Sequence, residues 1–250
     1  MNPVVIYTAA FGSDVKVYPQ PNLKGVDFIC FSDREHKVAG WKVVKVDEIF
    51  KNDSVRNNRY YKINPHLFLQ GYDLSIYIDS NFLVLSSPLA EIYQRLQVCN
   101  MLVFDHSETL KDARNCIYQE HEAMVDLFEK KGILKDNMGI MQSQIDFIRK
   151  AGYPPNYGLI KGGVLIRRHN EPDVIKAMER WWYFIKNFSK RDQLSFNYVA
   201  WEQNLKFRYL PGDVRRGNPW FYMVSKNDKT YRVSLFKYRF HKLIKLIQAS

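Results

Sequence analysis

Cysteine is scarce in this chain. Only three of its 250 residues are cysteine, Cys30, Cys99 and Cys116. Their odd number and wide spacing exclude a disulfide framework and supply no paired thiolates for a zinc site, which points to a reducing, cytoplasmic setting. Long hydrophobic runs are also missing. The best stretches, Leu74–Leu85 and Gly162–Ile166, are short or interrupted by Asp79, whereas a membrane-crossing helix needs about 20 apolar residues. Met1-Asn2-Pro3 lacks the basic start of an export signal, and Val4–Ala10 reads as a first strand. There is no low-complexity tract, internal repeat or clear linker, which argues against disorder.

Acidic residues are in deficit, 26 against 37 Lys plus Arg, for a net charge of +11. Such a balance suits a polyanionic partner: a nucleotide diphosphate, a nucleic acid or an anionic membrane. The composition is 46% apolar, enough for a real core, and its 15% aromatic content suits both a large core and a site that stacks bases or sugars.

Strand-like and helix-like patterns alternate. Val4–Thr8, Val26–Phe31, Trp41–Val46, Leu74–Ile78, Met101–Phe104 and Leu159–Arg167 read as strands. Helical spacing occupies Arg56–Leu69, with a break at Pro65, then Pro88–Leu96, capped by Ser87, and Ile117–Lys131, Gln142–Ala151, Glu171–Asn187 and Asp192–Gln203. This alternation predicts an α/β fold with a mostly parallel central sheet flanked by helices. After Leu210-Pro211-Gly212 the pattern loosens, until Leu235–Ile247 sets Phe236, Phe240, Leu243, Ile244 and Ile247 at helical spacing among basic residues.

The most informative stretch is Ser75–Val84, in which an apolar strand runs into Asp79-Ser80-Asn81. Residues i and i+2 of an extended chain face the same side, so the Asp79 carboxylate and the Asn81 amide oxygen can meet one hard divalent cation, Mg²⁺ or Mn²⁺, whose shell phosphates complete. The bland reading is a turn whose side chains satisfy backbone N–H groups. Arg59, Lys62 and His66 fall at i, i+3 and i+7, a basic helix face for a pyrophosphate or simply a solvated one. Thr8-Ala9-Ala10-Phe11-Gly12 ends the first strand with small residues that let a ligand approach the backbone. Asp33 ends the second strand, as base or ribose acceptor or ordinary loop exit. Gly162-Gly163 within a strand signals either close approach to a ligand or a bulge. Asp105-His106, with Arg114 and Glu120, is a candidate acceptor pocket, where a lone His106 also fits as a hydrogen-bonded wall.

Several stretches in order resemble a glycosyltransferase-like family of plant and bacterial polysaccharide-related proteins long catalogued without an assigned function. They are Tyr7–Gly12, Arg59–His66, Ser75–Asn81, Phe104–His106 with Arg114–Glu120, Gly152–Ile160, Val164–Asn170 and Arg191–Phe196. Within this resemblance Asp79-Ser80-Asn81 looks like a variant of the Asp-x-Asp motif of nucleotide-sugar transferases with the GT-A fold, departing from it at Asn81. The resemblance implies one GT-A-like (Rossmann-like) domain over residues 1–211, with 212–250 as an extension ending in a basic amphipathic helix. It implies a metal-assisted transferase moving a sugar from a nucleotide diphosphate, UDP above all, to a glycan or lipid-linked glycan. The metal would rest on Asp79 and Asn81, with His241 as a third ligand, and the donor on Thr8, Ala9, Ala10, Phe11, Asp33, Arg59, Lys62, Gly162 and Gly163. Asp192, Gln193 and His106 would act on the sugar and acceptor, with Asp192 as general base if the reaction inverts the anomeric centre and otherwise orienting a sugar; Asp192 also fits a plain N-cap. The basic tail would give peripheral contact with an anionic membrane. Two rivals remain: a nucleic-acid-binding protein or metal-dependent nuclease, for which the second carboxylate cluster is missing, and a non-catalytic glycan-binding module on the same scaffold.

Overall fold

The computed structural model describes residues 4–109 and 111–225, together with Phe236, Arg239, Phe240 and Leu243. In chain order the strands are β1 (Val4–Ala10), β2 (Val26–Ser32), β3 (Lys42–Lys45), β4 (Leu74–Ile78), β5 (Phe82–Val84), β6 (Met101–Asp105), β7 (Ile160–Arg167), β8 (Phe207–Leu210) and β9 (Phe221–Met223). The helices are α1 (Ser54–Ile63), α2 (Leu89–Arg95), α3 (Ile117–Lys131), α4 (Met138–Lys150), α5 (Pro172–Asn187) and α6 (Phe196–Glu202).

Seven strands form one sheet in the order β3-β2-β1-β4-β7-β6-β8, and β5 pairs with β9 in a separate ribbon. Strands β1 to β4 run parallel to one another and β8 runs parallel to β6, while β7 alone is antiparallel to both its neighbours. The chain therefore builds outward from β1 in one direction through β2 and β3, then crosses to the other side of β1 with β4. Open α/β sheets leave a crevice beyond the carboxyl ends of the strands at such a reversal.

Both faces of the sheet are covered. On β1, Val5, Tyr7 and Ala9 enter one apolar layer while Val4, Ile6 and Ala10 enter the other, the period-2 signature of a strand buried on both sides. Helix α5 supplies the largest wedge of the first layer: Val174, Ala177, Met178, Trp181, Phe184 and Ile185 repeat at helical spacing and are buried. Among the described residues no helix is long and apolar enough to cross a membrane.

Three local expectations are corrected. Ser87 does not cap α2, whose first turn starts after Pro88 with no side-chain cap. Helix α4 begins earlier than its periodicity suggests because the Asn137 side chain accepts from the Ile140 N–H, a cap worth about 1 kcal/mol. The stretch Asp192–Gln203 is not one helix: a 3₁₀ turn over Asp192–Leu194 precedes α6, with Ser195 between them.

Residues 213–225 pack back against the sheet. Phe221 is fully buried against Phe104, and the Val224 N–H donates to the Asn81 carbonyl at 2.8 Å. Of the basic tail, Phe236, Arg239, Phe240 and Leu243 are exposed; His241 lies outside the described residues.

Candidate active site

Two cavities meet at the ends of β1 and β4. The larger, about 740 Å³, is lined by Ala9, Phe11, Tyr18, Ser54, Asn58, Arg59, Asp79, Asn81 and Val224, among others. The smaller, about 180 Å³, has Lys62, His106, Arg114, Lys161, Asp192 and Gln193 in its wall. Asp79 and Arg59 belong to both. Asp79 is thus turned to open space rather than into the core.

Asp79 is held by its own strand and by β7. Its backbone N–H donates to the Gly163 carbonyl at 2.9 Å, and its Oδ1 accepts from the Tyr77 hydroxyl at 3.0 Å. Burial and the neighbouring Asp79 charge push the Tyr77 phenol well above its usual pKa, so it stays a proton donor. Asn81 donates its amide N–H to the Val224 carbonyl at 3.2 Å, which fixes the side chain at the cleft wall. These are hard oxygen donors of the kind that suit Mg²⁺ or Mn²⁺. Among the described residues no group of three or more His, Cys, Asp or Glu could hold a metal ion. A cation here would rest on two protein oxygens and on its ligand's phosphates.

The Gly162-Gly163 pair explains how the walls come so close. The register between β6 and β7 slips between Val103 and Phe104, which pair with Leu165 and Lys161, leaving the glycines in a bulge. A Cβ on Gly163 would stand 2.8 Å from the Phe82 ring and 3.3 Å from Asp79 Oδ2. One on Gly162 would stand 3.3 Å from Lys62 Nζ and 3.4 Å from Asp192 Oδ2. The bulge reading of the pair is therefore met, and the site's own side chains crowd the backbone there.

Helix α1 carries Arg59 and Lys62, and a buried arginine fixes its end. Arg167, fully buried on β7, donates to the Lys62 carbonyl at 2.8 Å and also to the Tyr7 hydroxyl. Lys62 is itself 1% exposed and ion-pairs with Asp192, with its ammonium 5.1 Å from the Tyr77 ring centre. Arg59 Nε lies 3.2 Å from the same Asp192 oxygen. Burial alone would raise the Asp192 pKa, but the charges of Arg59, Lys62 and Arg191 outweigh it and hold the carboxyl well below the usual range. Burial lowers the Lys62 pKa, an effect the Asp192 charge only partly offsets. For Arg59 the balance reverses: burial opposes its charge, yet Asp192 and Asp79 raise its pKa.

The rest of the small cavity is a chain of ion pairs. Glu120, fully buried, accepts from Arg114 at 2.8 Å and from Arg191 at 2.7 Å. Lys161 pairs with Asp213 at 2.7 Å, and Arg215 with Asp112 at 2.7 Å. Arg114 also approaches His106 Nε2 at 3.1 Å. Since arginine only donates, Nε2 is the acceptor there and the ring proton sits on Nδ1. Burial and the Arg114 charge lower the His106 pKa, keeping the ring neutral.

The residues picked out from sequence divide accordingly. Asp79, Asn81, Arg59, Ala9 and Phe11 line the large cleft, while Lys62, Asp192, Gln193, His106, Gly162 and Gly163 line the small cavity. Thr8 is fully buried and Ala10 packs in the opposite core layer, and neither is in the wall of these two cavities. Asp33 spends Oδ2 on the Gly12 N–H at 2.7 Å, fixing a loop whose glycine has φ of +90°. Gln193 has both ends of its amide engaged, donating to the Ile160 carbonyl at 2.8 Å and accepting from Arg191 at 2.8 Å. His66 lies beyond the end of α1 in the Pro65–Leu67 turn, off the site. Sequence reasoning missed Arg167, Lys161, Asp213, Arg191, Asp112 and Arg215 as parts of this region. Of these, Lys161 and Arg167 left a signal, charges near the two ends of a strand otherwise apolar.

A relative of this chain is the "Probable hexosyltransferase MUCI70" of Arabidopsis thaliana, 24% identical over 175 residues. That alignment takes in 67% of this chain but 28% of the plant protein, so the chain spans little more than a quarter of that relative's length. Residues 27–210 match the family described as the TOD1/MUCI70 glycosyltransferase-like domain. They run from β2 through β8 and include Asp79, Arg59, Lys62 and Asp192, and the chain belongs to that glycosyltransferase-like family.

Proposed function

We propose that this chain transfers a sugar from a nucleoside diphosphate, UDP in the first instance, to a glycan or lipid-linked glycan. The observation that carries this reading is the position of Asp79 and Arg59 on the shared wall of a nucleotide-sized cleft and a sugar-sized cavity, at the reversal point of the sheet. The nucleoside enters the cleft against Ala9, Phe11 and Tyr18, and the diphosphate reaches the Asp79–Arg59 wall. The sugar projects into the cavity bounded by Gly162-Gly163, Asp192 and Gln193. Asp79 and Asn81 would hold a divalent cation, Mn²⁺ or Mg²⁺, which when bound supplies positive charge to the leaving diphosphate. Arg59 supplies fixed positive charge at the same wall, in the manner of preorganised electrostatic catalysis.

Asp192 is a positioning residue in this scheme. Its carboxylate already neutralises two cations, and a carboxyl held so far below its usual pKa is a poor acceptor for a hydroxyl proton. It holds Lys62 and Arg59 in place instead. The glycan-binding module without activity is the alternative that the same experiment removes.

Isothermal titration with UDP, with and without Mn²⁺, and an assay of UDP-sugar hydrolysis test the reading on the intact chain and on Asp79→Ala. The expectation is Mn²⁺-linked UDP binding by the parent and at least a hundredfold loss of hydrolysis in the variant, with unchanged circular dichroism. Parent-like turnover in folded Asp79→Ala, or no UDP binding by the parent in either condition, overturns it.

A further inference from the structure

A third cavity, of about 500 Å³, lies away from the two already described, beside β8, the last strand of the sheet among the described residues, and between that strand and α6. Its wall includes Tyr157, Trp201, Asn197, Asn204, Lys206 and Arg208. None of these lines the nucleotide cleft or the small cavity.

The two large aromatic rings are exposed, Tyr157 at 56% and Trp201 at 38%, yet both are rigidly presented. Tyr157 sits between Asn156 at φ +57° and Gly158 at φ +87°. At Gly158 a side chain would come within 2.8 Å of the Tyr209 hydroxyl, so the turn requires glycine. The loop is tied by Gly158 N–H to the Asn115 carbonyl at 2.8 Å and by Tyr153 hydroxyl to the Tyr157 carbonyl at 3.3 Å. Trp201 packs edge-on against Tyr153, ring centres 5.6 Å apart, and lies 5.9 Å from Tyr198. An exposed aromatic ring that is locked in place loses little entropy when something stacks on it.

The cavity is also tied to the small site cavity through one residue of β7. The Ile160 N–H donates to Asn197 Oδ1 at 3.0 Å, and the Ile160 carbonyl accepts from Gln193 at 2.8 Å. Asn197 lines the third cavity and Gln193 lines the sugar cavity. A wall residue of each cavity is thus held by the backbone of the same residue.

We propose that the β8-edge cleft is a second glycan-binding site, which holds an oligosaccharide segment of the acceptor by stacking sugar rings on Tyr157 and Trp201. This rests on the transferase reading for its choice of ligand. The rings offer flat apolar faces that match the C–H faces of pyranose rings, with amide and basic groups beside them for hydroxyls or carboxylates. The same aromatic and basic surface would also stack the bases of a single-stranded nucleic acid; the family of the chain favours sugar, and the test below separates the two.

Tryptophan fluorescence and isothermal titration on the full chain would use hexasaccharides of cellulose, mannan, xylan and polygalacturonate, with a 12-nucleotide single strand as the rival probe. At least one hexasaccharide is expected to bind without any nucleotide present. Its affinity should fall at least tenfold in Trp201→Ala and in Tyr157→Ala, while UDP affinity stays within twofold of the parent. Tyr157→Ala changes an exposed ring only and keeps the test valid should Trp201→Ala fail to fold. Binding that both variants leave unchanged, binding of the oligonucleotide alone, or no binding of any hexasaccharide overturns the inference. Because UDP is titrated on the same samples, loss of this site and loss of the nucleotide reading give different results.

Discussion

Asp192 and Asp79 lie on the same small cavity, but their surroundings assign them different tasks. Asp79 keeps one face toward open space and accepts a hydrogen bond from a phenol, whereas Asp192 is buried between Lys62 and Arg59. Removing its charge would leave Lys62 buried without a counter-ion. Breaking such a pair typically costs about 3–5 kcal/mol, so Asp192→Asn should unfold at markedly lower urea with an unchanged slope. An unchanged midpoint would show that Asp192 does not anchor the cations. Residue types were readable from the sequence here, but not this division of labour. Two aspartates at turns look alike until the distance to the nearest cation is known. Asp33 illustrates the same limit, since one of its carboxylate oxygens accepts from the Gly12 N–H, 21 positions away in the chain.

At the scale of elements, the strands with strong apolar runs and the helix α5 with its regular stripe were legible, because periodicity is local information. The short strands β5, β8 and β9 were not. Three or four residues carry no period, and β5 and β9 exist through a pairing of Phe82–Val84 with Phe221–Met223 that spans more than half the chain. This pairing also closes one wall of the large cleft, through Asn81 and Val224. Phe221→Ala, which removes a fully buried ring from under β9, should cost about 3–5 kcal/mol if β9 is as firmly seated as its burial indicates. The same change should weaken UDP binding. Thermal unfolding would read the first effect and titration the second; a variant with parent-like values in both would separate β9 from the cleft.

The whole molecule combines a net charge of +11 with ion pairs and histidines that burial holds away from their usual titration. His66, His106, His121 and His169 all have lowered pKa values with burial as the first cause, His169 down to about 4. A lowered histidine binds its proton more readily in the unfolded chain, so stability falls as pH drops below about 6.5. For His169 alone the slope is about 1.4 kcal/mol per pH unit down to pH near 4. Carboxylates add a second stage. Hydrogen bonds from Arg180 hold Glu202 at about 2 despite an opposing burial effect, and Asp192 lies lower still. Their contribution is complete above about pH 4 and is lost as pH falls through their folded values. Urea midpoints at pH 7, 5 and 3 should therefore fall in two steps, and a midpoint independent of pH between 7 and 5 would contradict the histidine step. The overall charge and the mostly parallel sheet were visible in composition and pattern, but the placement of the ion pairs was not. Pairs such as Lys161 with Asp213 join residues that no motif connects.

The bond between Val224 and Asn81 has one further result. Because Ser225, the residue after Val224, also lines the large cleft, the β5–β9 ribbon borders the space where the proposed nucleotide would dock. A small dye attached at Ser225 would therefore sit beside the doorway, making its emission a direct gauge of occupancy that needs no turnover.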